Sequence, residues 1–241
     1  MSHILFHIPH ASLKIPNAFW KMCLKDKEYI KKTNIFLSDY MLEKLVPERS
    51  NKLVFKYSRL FCDVERYKDD SKEIMSKKGM GVVYTNDCYD AITIPTKSYK
   101  NKIIKKYYDK YHNKLDKTVT KILNKYNKCT IIDFHSYSDE MVKHLFNVTD
   151  TPDICIGTDD FFTNKELIAY TVDHFKKYGY SVKINYPYSG TIIPNKYFNK
   201  KDKRINSIMI EINKRVYLNS QIKFYKMKKC IEEYYQNLMN K

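Results

Sequence analysis

Apolar residues in the stretch 98–126 recur every three or four positions, through Ile103, Tyr107, Tyr111, Leu115, Val119, Ile122 and Tyr126. That is the period of a helix with one buried face, and it is the strongest helical signal in the chain. Just beyond it the pattern changes. Cys129-Thr130-Ile131-Ile132-Asp133-Phe134 is a nearly continuous apolar run, as expected for a strand covered on both faces. Shorter runs predict strands at 3–8, 53–57, 60–64, 153–157, 182–185 and 205–212. Helical spacing predicts helices at 17–32, at 38–46 with Ser38 as N-cap, at 164–178 and at 221–238. Strands alternating with helices point to an α/β sheet with helices on both faces.

Composition narrows the class. A chain of 241 residues, 43% of them apolar, buries a sizeable core, and without a linker or repeat it is expected to form a single domain over 1–241. Five glycines and seven prolines beside 22 tyrosines exclude a collagenous or solvated chain. No apolar stretch is long enough to span a bilayer, and residues 1–16 lack the pattern of a signal peptide, so no membrane partner is expected. Six cysteines without a CxxC pair argue against a disulfide framework or zinc knuckle. The expectation is a soluble cytoplasmic protein with reduced thiols. The formal charge of +17 suits phosphate backbones, but only five of the 44 basic residues are arginine. A Lys-rich coding bias explains that balance, which argues against nucleic acid as the principal partner.

In α/β sheets ligands collect beyond strand ends, so polar residues there carry the candidate chemistry. His10 and His135 each lie near the end of an apolar strand, where two loops can converge on a metal. A packing role remains open for each. Asp133, two residues before His135, is on the same side of the strand and suited to orient a neighbour or a substrate. Arg59 and Arg66, two of the five arginines, fall within eight residues in a chain that otherwise chooses lysine; they suit bidentate carboxylate recognition or a structural salt-bridge cluster. Glu211 is flanked by Ile210 and Ile212, and burial there would raise its pKa and suit it to general base work. Residues 186–191 read as a turn that lets backbone and hydroxyls approach a ligand. His112, on the long helix, reads as a packing residue.

Taken together, these segments resemble the N-formylglutamate amidohydrolase family over almost the whole chain and in order. The resemblance is carried by Pro9-His10-Ala11-Ser12 with Pro16, by Ser38-Asp39 with Leu45, and by Ser58-Arg59 followed by Asp63-Val64-Glu65-Arg66. It continues through Tyr107-Tyr108 with Tyr111-His112, Asp133-Phe134-His135-Ser136, Pro152-Asp153 with Gly157, Asn185 with Pro187-Tyr188-Ser189-Gly190, and Glu211 with Tyr217.

That family is distantly similar to the zinc carboxypeptidases and aspartoacylases, which implies a mixed, mostly parallel sheet and one zinc ion (Zn2+). By resemblance His10 and His135 are metal ligands and Glu211 is the general base. Arg59 and Arg66 meet substrate carboxylates, Arg59 also serving the developing oxyanion, while Asn185, Tyr188, Ser189 and Gly190 contact substrate. The HxxE motif of the zinc relatives is absent, because Leu13 stands three after His10. Asp39 is therefore the expected third ligand and Glu65, where many members have Asn, the second choice.

The resemblance implies a zinc-dependent amidohydrolase that cleaves a small anionic N-acyl amino acid. N-formyl-L-glutamate, hydrolysed to glutamate and formate as in histidine degradation, is the leading substrate. One rival is a metal-dependent amidase or peptidase acting on another acyl-amino acid or a cell-wall fragment. Another is a nucleic-acid-binding protein with a degenerate hydrolase fold.

Overall fold

The apolar run that begins at Cys129 continues to Tyr137 as a nine-residue strand, and every residue of it is buried. This strand, β3, is central in a sheet that the computed structural model, describing residues 2–240, builds from β1 (Ile4–Ile8), β2 (Asn51–Val54), β3 (Cys129–Tyr137), β4 (Ile154–Gly157), β5 (Val182–Ile184) and β6 (Ile205–Asn213). The order is β2-β1-β3-β6-β4-β5. β3 pairs in parallel with β1 and β6, β4 pairs in parallel with β5, and β4 meets β6 antiparallel. The sheet is therefore mixed and mostly parallel, and the fold is α/β as the alternation of elements predicts.

The helices are α1 (Asn17–Trp20), α2 (Lys27–Leu37), α3 (Lys97–Ile103), α4 (Asp109–Tyr126), α5 (Asp139–Phe146), α6 (Lys165–Lys177), α7 (Asn195–Phe198) and α8 (Gln221–Met239). The chain divides into two compact units. One contains the chain up to Ile8, Met41–Leu53 and everything from Asp116 onward, and the other contains Pro9–Tyr40 with Val54–Leu115.

In the first unit, strand alternation sorts chemistry between the two faces of the sheet. Phe6 and Phe134 meet edge to face at 5.6 Å, and Phe6 also packs on Tyr235 of α8. The opposite face carries His7, Asp133, His135 and Glu211, because His7 is in register with Asp133 and His135 with Glu211. Loop 191–192 is fastened to the same face: Ser207 Oγ donates to the Ile192 carbonyl at 2.7 Å and lies 2.8 Å from Thr191 Oγ1.

The second unit contains helices and turns around Phe19, Ile30, Leu60, Phe61, Val82 and Tyr84, all fully buried. Here local pattern and structure differ. The helix expected over 17–32 is two helices, because Leu24 N–H donates to the Ile92 carbonyl and Ile94 N–H to the Met22 carbonyl, pulling the intervening chain out of helical pairing. α2 restarts at Asp26, whose carboxylate accepts from Tyr29 N–H at 2.8 Å.

Ser38 closes α2 instead of opening a helix. Its N–H donates to the Asn34 carbonyl, and Met41 then takes the left-handed conformation, leaving only the short 3₁₀ turn Leu42–Leu45 of the expected helix. Residues 60–64 form turns, not a strand: Phe61 and Cys62 N–H both return to the Ser58 carbonyl. The segment is apolar because it is buried, and a short apolar run cannot distinguish a buried strand from a buried turn. The long helix forms as expected, with a wider π turn at Ile104–Tyr108 between α3 and α4.

Candidate functional site

In the first unit, the site residues are positioned by the register of three adjacent strands. Asp133 Oδ1 lies 2.8 Å from His7 Nδ1 and 2.9 Å from His135 Nε2, and its Oδ2 accepts the backbone N–H of Ile192 at 2.9 Å. All three side chains are at most 4% exposed, and a ligand atom from each lies within 4.8 Å of the others. Burial alone would raise the pKa of Asp133, but the facing imidazole of His135, with help from His7, holds the carboxyl far below its ordinary range. Asp133 is thus an acceptor, so each imidazole nitrogen that faces it carries a proton. Glu211, buried in β6, stands beside His135 in register on the same face. Next to the cluster, Tyr217 donates to Ser136 Oγ at 3.1 Å.

The second unit holds the other expected residues. His10 follows β1 by two positions and is 2% exposed; its carbonyl accepts the N–H of Asp39 at 3.0 Å, which ties the two residues together through the backbone. Its Nε2 lies 2.8 Å from Asp63 Oδ1, and its Nδ1 lies 3.9 Å from carboxylate oxygens of both Asp39 and Glu65. Asp63 Oδ2 accepts from Arg59 Nη2 at 2.9 Å, from Arg59 Nε at 3.2 Å and from the Tyr84 hydroxyl at 2.8 Å. Arg66 Nε stands 3.5 Å from the same oxygen. Burial would raise the pKa of Asp63, but His10, Arg59 and Arg66 outweigh it and hold the carboxyl well below the usual range. Burial and the Arg59 charge lower the pKa of His10, with Asp63 and Glu65 opposing.

Asp63 joins the two arginines in the salt-bridge cluster that was the alternative to carboxylate recognition. Two features of the second unit lie outside the sequence reading: Tyr84 completes that cluster, and Asn34 ties neighbouring segments together, its Nδ2 donating to the Leu13 carbonyl while Oδ1 accepts from Ser58 and Ser38 hydroxyls at 2.6 and 3.2 Å. Asp63 lies between the two singled-out arginines, so its spacing was a usable signal. Tyr84 and Asn34 had none, since a buried tyrosine or asparagine looks like any other in a chain rich in both.

The remaining expected residues are in the first unit. Asn185, in a left-handed conformation, accepts from Thr158 N–H and donates to its hydroxyl. Tyr188 packs edge to face on Tyr137 and Phe146. The Gly190 carbonyl comes so near Gly157 that a Cβ there would sit 2.2 Å from it, which explains a glycine at the end of β4. Ser189 is exposed in the same turn. His112 packs on Tyr108 and its Nε2 is 2.8 Å from the Val64 carbonyl, a packing role as expected.

Buried imidazole nitrogens next to carboxylate oxygens are a donor set that divalent zinc accepts, so the residues present fit such an ion. All six cysteines are free thiols. No helix among the described residues is long and apolar enough to cross a membrane.

Comparison with known proteins places this geometry in context. The N-formylglutamate amidohydrolase of Ralstonia eutropha JMP134 superposes with a TM-score of 0.85 at 18% identity, covering 99% of this chain and 93% of that one. A gene product of Agrobacterium tumefaciens superposes with a TM-score of 0.71 at 14% identity, covering 98% and 92%. At these identities the likeness establishes the fold. No curated protein matches the sequence. The family model for N-formylglutamate amidohydrolase, in contrast, matches residues 2–218. That match takes in both clusters from His7 to Glu211, and the chain belongs to the N-formylglutamate amidohydrolase family.

Proposed function

We propose that this protein is a metal-dependent amidohydrolase that cleaves the amide of an N-acyl acidic amino acid, with N-formyl-L-glutamate the leading substrate and glutamate and formate the products. The observation that carries the reading is the burial of His10 and Asp39, an imidazole and a carboxylate tied together by a backbone hydrogen bond in a chain of this family. His10, Asp39 and His135 would hold zinc, with Glu65 as the alternative to Asp39. Bound there, zinc would supply Lewis acidity to the acyl oxygen and lower the pKa of water towards about 7.

Glu211 accepts a proton from the attacking water and returns it to the amide nitrogen as the C–N bond breaks. Arg66, less committed than Arg59, receives a substrate carboxylate. Arg59 uses Nε and one N–H of each terminal nitrogen on Asp63, Tyr84 and the Leu37 carbonyl. Only its outer N–H groups are left to meet the substrate or the developing oxyanion. Asn185, Tyr188, Ser189 and Gly190 would border the amino-acid moiety.

The test is elemental analysis of the purified protein together with formate release from N-formyl-L-glutamate, N-formyl-L-glutamine and N-acetyl-L-glutamate, before and after chelation. One zinc per chain, activity lost on chelation and restored by zinc, and preference for the formylated dianion support the reading. Full turnover in metal-free protein removes the metal from it, and equal rates on the glutamine analogue remove the acidic side chain from the substrate class.

A further inference from the structure

Ser207 is a fully buried hydroxyl within a mostly apolar strand, and such a group is tolerated only where its hydrogen bonds are made. Its partners are at the end of the candidate substrate turn. Ser207 Oγ donates to the Ile192 carbonyl at 2.7 Å. The serine has one proton to give, so the Thr191 hydroxyl, 2.8 Å away, donates to Oγ in return. The N–H of Ile192 goes to Asp133 Oδ2 at 2.9 Å. Both backbone polar groups of Ile192 are therefore tied to the sheet, one to β3 and one to β6. Ser207 is itself fixed through its backbone: its N–H donates to the Phe162 carbonyl at 2.7 Å, and its carbonyl accepts from the Thr163 hydroxyl at 2.6 Å.

The order of residues along β6 gives this clasp a direction. Residues two apart in a strand share a face, so Ser207, Met209 and Glu211 point the same way. Met209 pairs with Gly157, and a Cβ on Gly157 would meet both the Met209 side chain and the Gly190 carbonyl. One strand face thus holds the end of the turn at Ser207, its glycine next to Met209 and, two residues further, Glu211. The start of the turn is pinned separately, by Asn185 N–H donating to the Ile156 carbonyl at 2.7 Å.

We infer that Ser207 is a positioning residue for substrate specificity: by holding Thr191 and Ile192 it sets where Tyr188, Ser189 and Gly190 stand relative to Glu211, and so which amino-acid side chain the site accepts. The inference rests on the proposed role of that turn in bordering the amino-acid moiety. Ser207 acts only through the turn and does not itself meet substrate. A serine present merely to complete the packing of the sheet would affect stability and leave the choice between two substrates unchanged.

The experiment compares N-formyl-L-glutamate with N-formylglycine, which has no side chain for the turn to meet, in the wild type and in Ser207→Ala. A displacement of about 1 Å in a substrate-positioning group can cost on the order of 100-fold, so the variant should lose about 10- to 100-fold in kcat/KM on N-formyl-L-glutamate, through KM, and much less on N-formylglycine. Thr191→Val removes the other hydroxyl of the clasp and should shift the same ratio in the same direction. Amide hydrogen exchange of Ser207→Ala should be faster at residues 188–192 and unchanged in β3 and β6. A folded Ser207→Ala protein that keeps the wild-type ratio of the two substrates overturns the inference; should that variant not fold, Thr191→Val decides on the same measure. A wild type that hydrolyses neither substrate sinks the functional reading instead. Hydrogen exchange then decides alone, and wild-type rates at residues 188–192 in Ser207→Ala overturn the role of the clasp.

Discussion

Two buried aspartates in this protein each hold a histidine through Nε2, and they are compensated differently. Asp63 is surrounded by permanent cations, Arg59 and Arg66, and by a phenol; Asp133 is surrounded by two imidazoles and one backbone N–H. A guanidinium stays charged at any working pH, whereas an imidazole contributes a full charge only when protonated. The charge of Asp63 is therefore offset by fixed cations before any ligand arrives. The counter-charge of Asp133 depends instead on how its two imidazoles are protonated.

This contrast is most directly broken by removing each carboxylate's charge. Asp63→Asn leaves the buried Arg59 and the half-buried Arg66 without the carboxylate between them, an effect of about 3–5 kcal/mol. Asp133→Asn keeps an acceptor but sets an amide donor against an imidazole or backbone donor, an effect of about 1–3 kcal/mol. Urea unfolding of the metal-free proteins reads both, and equal losses would dissolve the distinction. Between these two in size comes Glu211→Gln, beside the Asp133 cluster. It preserves shape but cannot take a proton, so kcat should fall by about 100-fold or more with zinc retained. Loss of zinc would make Glu211 a ligand, and near-normal turnover would take it out of the reaction.

Acid separates the clusters more gently. The folded pKa of His10 lies below its ordinary value, so the native state binds that proton less readily than the unfolded chain does. Its contribution to stability is present above about pH 6.5 and declines as pH falls, by up to about 1.4 kcal/mol per pH unit. The depressed carboxyls of Asp63 and Asp133 add their own loss only below about pH 4. His10→Gln should therefore flatten the dependence of the metal-free protein between pH 6.5 and 5. A residual slope from His3 and His174, whose pKa values burial also lowers, should remain. An undiminished slope would remove His10 as a source. The smallest expected effect is Tyr84→Phe, which takes one hydroxyl from Asp63 while Arg59 stays: about 0.5–1.5 kcal/mol in urea unfolding, with zinc affinity unchanged. A loss as large as that of Asp63→Asn would make the phenol, not the arginines, the main support.

The sequence by itself determined the α/β class, the strand at Cys129, the long helix before it and the closing helix, because those segments have a hydrophobic period that extended burial imposes. It also singled out His10, His135, Glu211 and the arginine pair, since a charged or ligating residue next to an apolar run is conspicuous. Only the tertiary structure decided that residues 60–64 turn instead of extending, that Ser38 ends a helix, and that the helix over 17–32 is interrupted. Those outcomes depend on hydrogen bonds to partners far away in sequence, such as the pairing of Met22 and Leu24 with residues 92–94. The same holds for the carboxylate partners. Whether Arg59 faces Asp63 or solvent, and which nitrogen of His10 carries the proton, depends on where Tyr84 and Asp63 are brought by folding, and no local pattern of residues specifies that.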